Sequence, residues 1–218
     1  VRLAAWFNQD RGIVTACKLL VGELGEDHHD PRAARVEMEG ELRQSALPVF
    51  CEAHVVRDFE SGVLSAAQST GVGELAANTV MFGWSKSSDR LASQLRIIRA
   101  LETAGKSAII ARINWAHEPG QEPAIDLWWG GLQNNGDLML LLAHLLRMNA
   151  EWRDARLTIR SIARTEEERA SQEAGLVELL GETRIEAETQ VILETDADRK
   201  VSEIMHRTSS RADVVFLG

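Results

Sequence analysis

The stretch "IDLWWGGLQNNGDLMLLLAHLL", Ile125 to Leu146, decides the fold class. Its first five residues are an apolar run with one carboxylate, which reads as a buried strand. Two glycines follow, Gly130 and Gly131, and then a segment nearly free of polar side chains. Strand, glycine turn and helix in this order also build phosphate-binding loops, but such a loop ends in Gly-Lys-Ser/Thr, and that ending is missing here. The plainer reading is a sharp turn allowed by Gly130 and Gly131. Asn134, Asn135 or Asp137 then caps a helix running from Asp137 to Met148. Successive residues of a strand face opposite sides, so Trp128 and Trp129 are both expected to pack under covering helices, one on each face.

The same alternation extends in both directions. Upstream, strands are expected over Gly12–Gly22, Val49–Val56, Asn78–Trp84 and Ser107–Ile113. Helices are expected from Pro31, over Phe59 to Gly71, and from Ser87 or Ser88, where Leu91, Leu95, Ile98 and Leu101 form one apolar stripe. Downstream, "RLTIRSIA" is a strand and Thr165 with Glu168 has capping-box spacing for the next helix. "AETQVILE", a helix around Val201–Thr208 and "DVVFL" complete the series. Two of the four prolines fall in "HEPGQEP", His117–Pro123, after which the pattern restarts. The expectation is an α/β protein of two tandem three-layer halves with mainly parallel sheets. Residues 1–117 form the first half, 118–124 a linker and 125–218 the second half.

Composition sets the partners. With 218 residues, the chain can bury a sizeable core without disulfides. Cys17 and Cys51 form no CxxC and suit a reducing compartment. There are 13 basic and 15 acidic side chains up to Gly120 and 11 and 18 beyond it, so the net charge of −9 divides as −2 and −7. An acidic surface repels phosphate backbones, which argues against nucleic acid as a partner. The longest apolar stretch, Leu138–Leu146, is interrupted by His144 and is shorter than the ~20 residues of a membrane helix. No signal peptide is visible at the start. "VRLAAWFNQ" reads as the end of a helix without a cap and "ADVVFLG" stops on a strand, which suggests a fragment.

No catalytic or metal set emerges, and no hydrolase, kinase or redox activity is expected. "GVGELA", Gly71–Ala76, fits G-x-G-x-x-A, but it follows a helix and precedes a strand, so the helix dipole points away from any pyrophosphate; it reads as a helix-to-strand connection. None of the histidines (His28, His29, His54, His117, His144 and His206) has zinc spacing with the cysteines. "EDHHD", Glu26–Asp30, reads as a solvated loop rather than a metal site. There is no G-x-S-x-G elbow, and tyrosine is absent.

Two blocks carry a family resemblance. "GVGELAANTVMFGWSK", through Gly71, Gly73, Asn78, Thr79, Gly83 and Trp84, resembles a segment of the cation–chloride cotransporters. Ile125, Asp126, Trp128, Trp129, Gly136 and Leu138 through Leu142 match the later Ile-Asp-x-Trp-Trp block of that family. Looser similarity runs through Trp152 and Leu157 and through "IMHRTSSRADVVFLG". "LAAWFNQDRGIVTACKLLVGE" is similar to the helix and second strand of the family domain, which implies a first strand ahead of it. The resemblance implies the cytosolic C-terminal regulatory domain of a sodium/potassium–chloride cotransporter, a prokaryotic member being the expectation. It also implies a universal-stress-protein-like fold, a homodimer, the protein's own transmembrane domain as partner, and a place on the cytoplasmic side of the cell membrane. The large loop that vertebrate members carry before the Trp-Trp block is replaced by a short linker, so their regulation is not carried over. No cofactor is implied. The competing reading is a free-standing universal-stress-like nucleotide binder, and "SKSSDRL" after "VMFGW" lacks the second glycine of that family's ATP motif. A metabolic enzyme of the same fold is a third reading, with no residue set behind it.

Overall fold

The computed structural model describes residues 1–9, 11–25, 30–43, 49–72, 75–114, 122–130 and 133–218. The chain divides into two units, Val1–Asn114 and Trp115–Gly218.

The first unit opens with α1 (Arg2–Asn8), closed by Gln9 in the left-handed region at φ 52°. Strand β1 (Thr15–Val21) runs parallel to β2 (Phe50–Val56), in register from Thr15 opposite Phe50 to Val21 opposite Val56. Between them lies α2 (Pro31–Arg43). Its start follows from Pro31 at the first helical position and from Asp30, whose Oδ1 accepts from the Arg32 and Ala33 amides at 2.8 and 3.2 Å. Helix α3 (Phe59–Ser69) is capped by Asp58, whose side chain accepts from the Ser61 amide at 2.9 Å. A pair of two-residue antiparallel strands follows, β3 (Gly71–Val72) and β4 (Leu75–Ala76), then β5 (Thr79–Gly83). Helix α4 (Ser88–Thr103) starts at an Ser87 cap and leads through Gly105, at φ 68°, to β6 (Ser107–Ala111), which pairs parallel with β5.

Val63 and Ala67 of α3 and Ile97 and Leu101 of α4 form the core of this unit, with Leu19, Val80, Phe82 and Ala108 packed against them. The expected α4 stripe holds at Leu101, is half-buried at Leu91 and Ile98, and fails at Leu95. Its inward face is Gln94, Ile97 and Leu101, while Leu95 is 51% exposed. The amide of Gln94 donates to Gly83 O at 2.9 Å and ties α4 to the end of β5. Glu60 of α3 accepts from Ser93 Oγ at 2.8 Å and pairs with Arg96 at 2.5 Å, linking the two helices.

The second unit contains β7 (Ala124–Trp128), α5 (Gln133–Arg147), a short 3-10 turn at Ala150–Trp152, β8 (Arg156–Ala163), α6 (Glu166–Thr183), β9 (Glu188–Leu193), α7 (Val201–Thr208) and β10 (Val214–Leu217). Its four strands form one parallel sheet in the order β10-β7-β8-β9. Every residue of β7 is buried, as expected of a central strand covered on both faces. Ala124, which the sequence reading put in the linker, opens this strand; linker residues 118–121 lie outside the described residues. Half of the capping box is present, since the Glu168 amide donates to Thr165 Oγ1 at 3.1 Å; the Glu168 carboxylate reaches one residue further back and accepts from the Arg164 amide at 2.7 Å. No helix among the described residues is long and apolar enough to cross a membrane.

Candidate functional site

In a parallel α/β sheet, ligands sit outside the carboxyl ends of the strands where the strand order reverses. In the second unit that point lies between β7 and β10. A crevice of about 530 Å³ opens there. The ends of the strands line it with Trp128, Trp129, Ser161 and Leu217, and α6 and α7 add Leu176 and Met205.

The two tryptophans occupy opposite faces, as strand geometry requires. Trp128 is 3% exposed, and its indole Nε1 donates to Ser209 Oγ, just past α7, at 2.9 Å. Trp129 follows the strand end and extends the ladder by donating its amide to Arg160 O at 2.7 Å. Its ring lies on α5 at Gly136, where any Cβ would overlap ring atoms Cη2, Cζ3 and Cζ2. Trp129 is only half-buried, so the expectation of two fully packed indoles holds for Trp128 alone. A second correction concerns the helix start. Because α5 begins at Gln133, Asn134, Asn135 and Asp137 lie inside it rather than capping it. Gly136→Val should cost about 1–3 kcal/mol through overpacking against the rigid indole. Thermal melts would show the loss, and Trp129→Leu in the same chain should recover most of it. A cost unchanged by Trp129→Leu would mean the clash lies elsewhere.

Ser161 and Arg164 at the crevice are committed to structure. Ser161 Oγ donates to Trp129 O at 2.9 Å. Arg164 Nη1 donates to Glu194 O and Asp196 O at 3.2 and 2.8 Å, stitching the loop before α7 to the end of β8. The same loop is closed by Glu194, which is 7% exposed and accepts from the Asp196 amide at 3.2 Å and from Arg199 at 2.8 Å. The Asp196 amide, and then Arg199, hold the Glu194 carboxyl below its ordinary range. Gln172 donates to Ile162 O at 3.3 Å, and its Oε1 is buried with no hydrogen-bond partner among the described residues. Among the described residues, the lining contains no histidine, cysteine or carboxylate side chain, and these residues bring no nucleophile–base pair together.

Beneath the crevice, on the Trp128 face, Asp126 and Arg160 form a buried ion pair with Nε 2.8 Å from Oδ2. The two stand diagonally on neighbouring strands, because Trp128 faces Arg160 in the register. Neither atom makes a well-aligned hydrogen bond across that contact. Arg160 Nη1 also bonds Gln190 Oε1 on β9.

The other residues singled out by sequence are not gathered into a site. Gly71 sits in the β3–β4 pair at φ 154°, where a Cβ would meet Leu75 O at 2.5 Å. The connection read over Gly71–Ala76 is thus a small antiparallel pair; Gly73 and Glu74 lie outside the described residues. Glu26–His29 and His117 also lie outside them. Among the described residues, no group of three or more His, Cys, Asp or Glu could hold a metal ion. Cys17 and Cys51 are on neighbouring strands, but Ala16 is the register partner of Cys51, so the two side chains face opposite sides of the sheet. Desolvation, followed by Glu52 for Cys17 and Glu39 for Cys51, raises both thiols above their ordinary range, away from thiolate chemistry.

The sequence model of solute carrier family 12 matches residues 85–211. That span includes the Ile125–Leu146 block and excludes Gly71–Gly83. The fold is similar to the crystal structure of the cytoplasmic domain of a prokaryotic cation chloride cotransporter. The TM-score is 0.59 at 20% identity, over 88% of this chain and 74% of that one.

Proposed function

Because the chain belongs to solute carrier family 12, we propose that it is the cytosolic regulatory and dimerisation domain of a cation–chloride symporter. In this reading it lies on the cytoplasmic side of the membrane, and another part of the protein carries sodium or potassium with chloride. The observation that carries the reading is the family match over residues 85–211, and the likeness of fold to a cotransporter cytoplasmic domain supports it. The chemistry of the crevice agrees, since its hydroxyl and guanidinium groups bind backbone carbonyls instead of facing a reactant. The domain then acts by contact, with no reaction of its own. Joining two copies through the membrane part raises their effective concentration, so even a weak self-contact of this domain matters in the whole protein.

The test is transport by the full-length protein in proteoliposomes. Uptake of rubidium or sodium should depend on chloride, and its rate should change when residues 1–218 are removed. The purified protein should sediment as two copies. Uptake indifferent to chloride would overturn the symporter reading, and a rate untouched by the deletion would overturn the regulatory one.

A further inference from the structure

The crevice of the second unit has the place and the size of a small-molecule site: about 530 Å³, at the carboxyl ends of the strands and at the switch point of the sheet. What it can hold follows from its walls. The Trp129 ring backs onto Gly136 of α5 and is half-buried, so part of the indole remains open to the crevice. Leu176 of α6 and Met205 of α7 add an aliphatic surface and a thioether. An indole and a thioether both favour contact with another aromatic ring.

Two glycines leave room for that ring. A Cβ at Gly130, or at Gly175 inside α6, would meet nothing within 4 Å, so the backbone at both positions borders open space. Neither glycine has a positive φ, so backbone conformation does not require them. In α6 the glycine lowers helical propensity, and no packing contact offsets that cost.

Charge decides the class of ligand. Among the described lining residues, Arg164 is the one ionisable side chain, and its Nη1 is turned to the Glu194 and Asp196 carbonyls. An anion therefore meets no cation aimed at it from these residues, and a cation meets no carboxylate side chain. A neutral molecule needs neither. One polar atom is left over. Gln172 donates to Ile162 O through a long bond of 3.3 Å, while its Oε1 is buried with no hydrogen-bond partner among the described residues. Leaving a buried acceptor unpaired is costly, and an N–H on the ligand is the group that removes the cost.

We propose that the crevice binds a neutral, planar heteroaromatic molecule of one or two fused rings, packed against Trp129 and donating one N–H to Gln172 Oε1. This goes beyond the symporter reading and does not depend on it.

The test is photolabelling of the full-length protein with azidoindole, with unlabelled competitors and peptide mapping by mass. Label should fall on the peptides that carry Trp129, Gly175 or Met205, and indole should compete. Indene, which has the same shape without the N–H, should compete about three- to tenfold less well, as expected for one neutral hydrogen bond. Gln172→Leu should abolish that difference. Gly175→Leu places a side chain in the open space and should reduce labelling more than about tenfold, with no lower thermal midpoint because leucine is the better helix former. Where that variant does not fold, Gly175→Ala should still weaken competition by indole. Labelling that a folded Gly175 variant leaves unchanged would overturn the site. Equal competition by indene and indole, or stronger competition by pyrophosphate than by indole, would overturn the class of ligand. The readout is binding, so its failure is separate from any failure of chloride-dependent uptake.

Discussion

Trp128→Ala should lower the stability of the second unit by about 3–5 kcal/mol, the range for deleting a large aromatic side chain from a core. The side chain is 3% exposed at the end of a strand whose five residues are all buried. Truncation opens a cavity at the switch point of the sheet and leaves Ser209 Oγ without its 2.9 Å indole donor. Two further substitutions separate these contributions. Trp128→Phe keeps most of the packing and removes the hydrogen bond, so it should cost less. Trp129→Ala, at a half-buried position, should cost no more than about 3 kcal/mol. Denaturant unfolding should show each loss as a lower midpoint at similar slope. A Trp128→Ala loss below about 1 kcal/mol would mean that the neighbouring helix collapses into the space, and that this indole does not hold the strand end.

The strands were legible in the sequence because a parallel sheet buries both of its faces, leaving continuous apolar runs such as Val191–Leu193. Three features were hidden, each for a physical reason. The start of α5 reads late because Asn134, Asn135 and Gly136 are poor helix formers that favour caps and turns. Close approach of the Trp129 ring accounts for the glycine inside the helix, and that contact is tertiary. The inward face of α4 is legible only in part, because Leu95, which is exposed, satisfies helical periodicity as well as Leu101 does. The buried glutamine that marks the true face is explained only by its bond to Gly83 O. The two-residue strands β3 and β4 are too short for any periodicity.

The crevice was hidden for a further reason. Its lining comes from the ends of β7, β8 and β10 and from α6 and α7, stretches far apart in the chain that the sheet order alone brings together. Sequence could give the Trp-Trp pair and its packing, but not that Ser161 and Arg164 end near it with their polar atoms already bonded. Its question of ligand loop against packed turn is answered for Trp128 by burial. For Trp129 the answer is a ring laid on a helix glycine and partly open to the crevice.

Asp126→Ala should be as costly as Trp128→Ala, for an electrostatic reason. Asp126 is 2% exposed, and the Arg160 side chain beside it is 12% exposed. Removing the carboxylate leaves a guanidinium enclosed on the sheet face with one neutral partner, Gln190. Breaking a buried pair in this way costs about 3–5 kcal/mol, because the remaining charge keeps its desolvation penalty and loses its compensation. The pair itself is not a large net source of stability. The contact is close but poorly aligned for hydrogen bonding, and both charges were taken out of water to make it. Replacing both partners with apolar side chains of similar size, Asp126→Leu with Arg160→Met, should therefore be neutral or stabilising by up to about 4 kcal/mol. A double-mutant cycle in denaturant separates the two statements, since residues in contact give a coupling that distant ones do not. A single Asp126→Ala loss under about 1 kcal/mol would show that Arg160 swings out to water, and that the aspartate of the Ile-Asp-x-Trp-Trp block is not needed to keep β7 and β8 in register. A large single loss with a mild double loss would place that aspartate in the architecture of the sheet: a charge kept there because its partner is there.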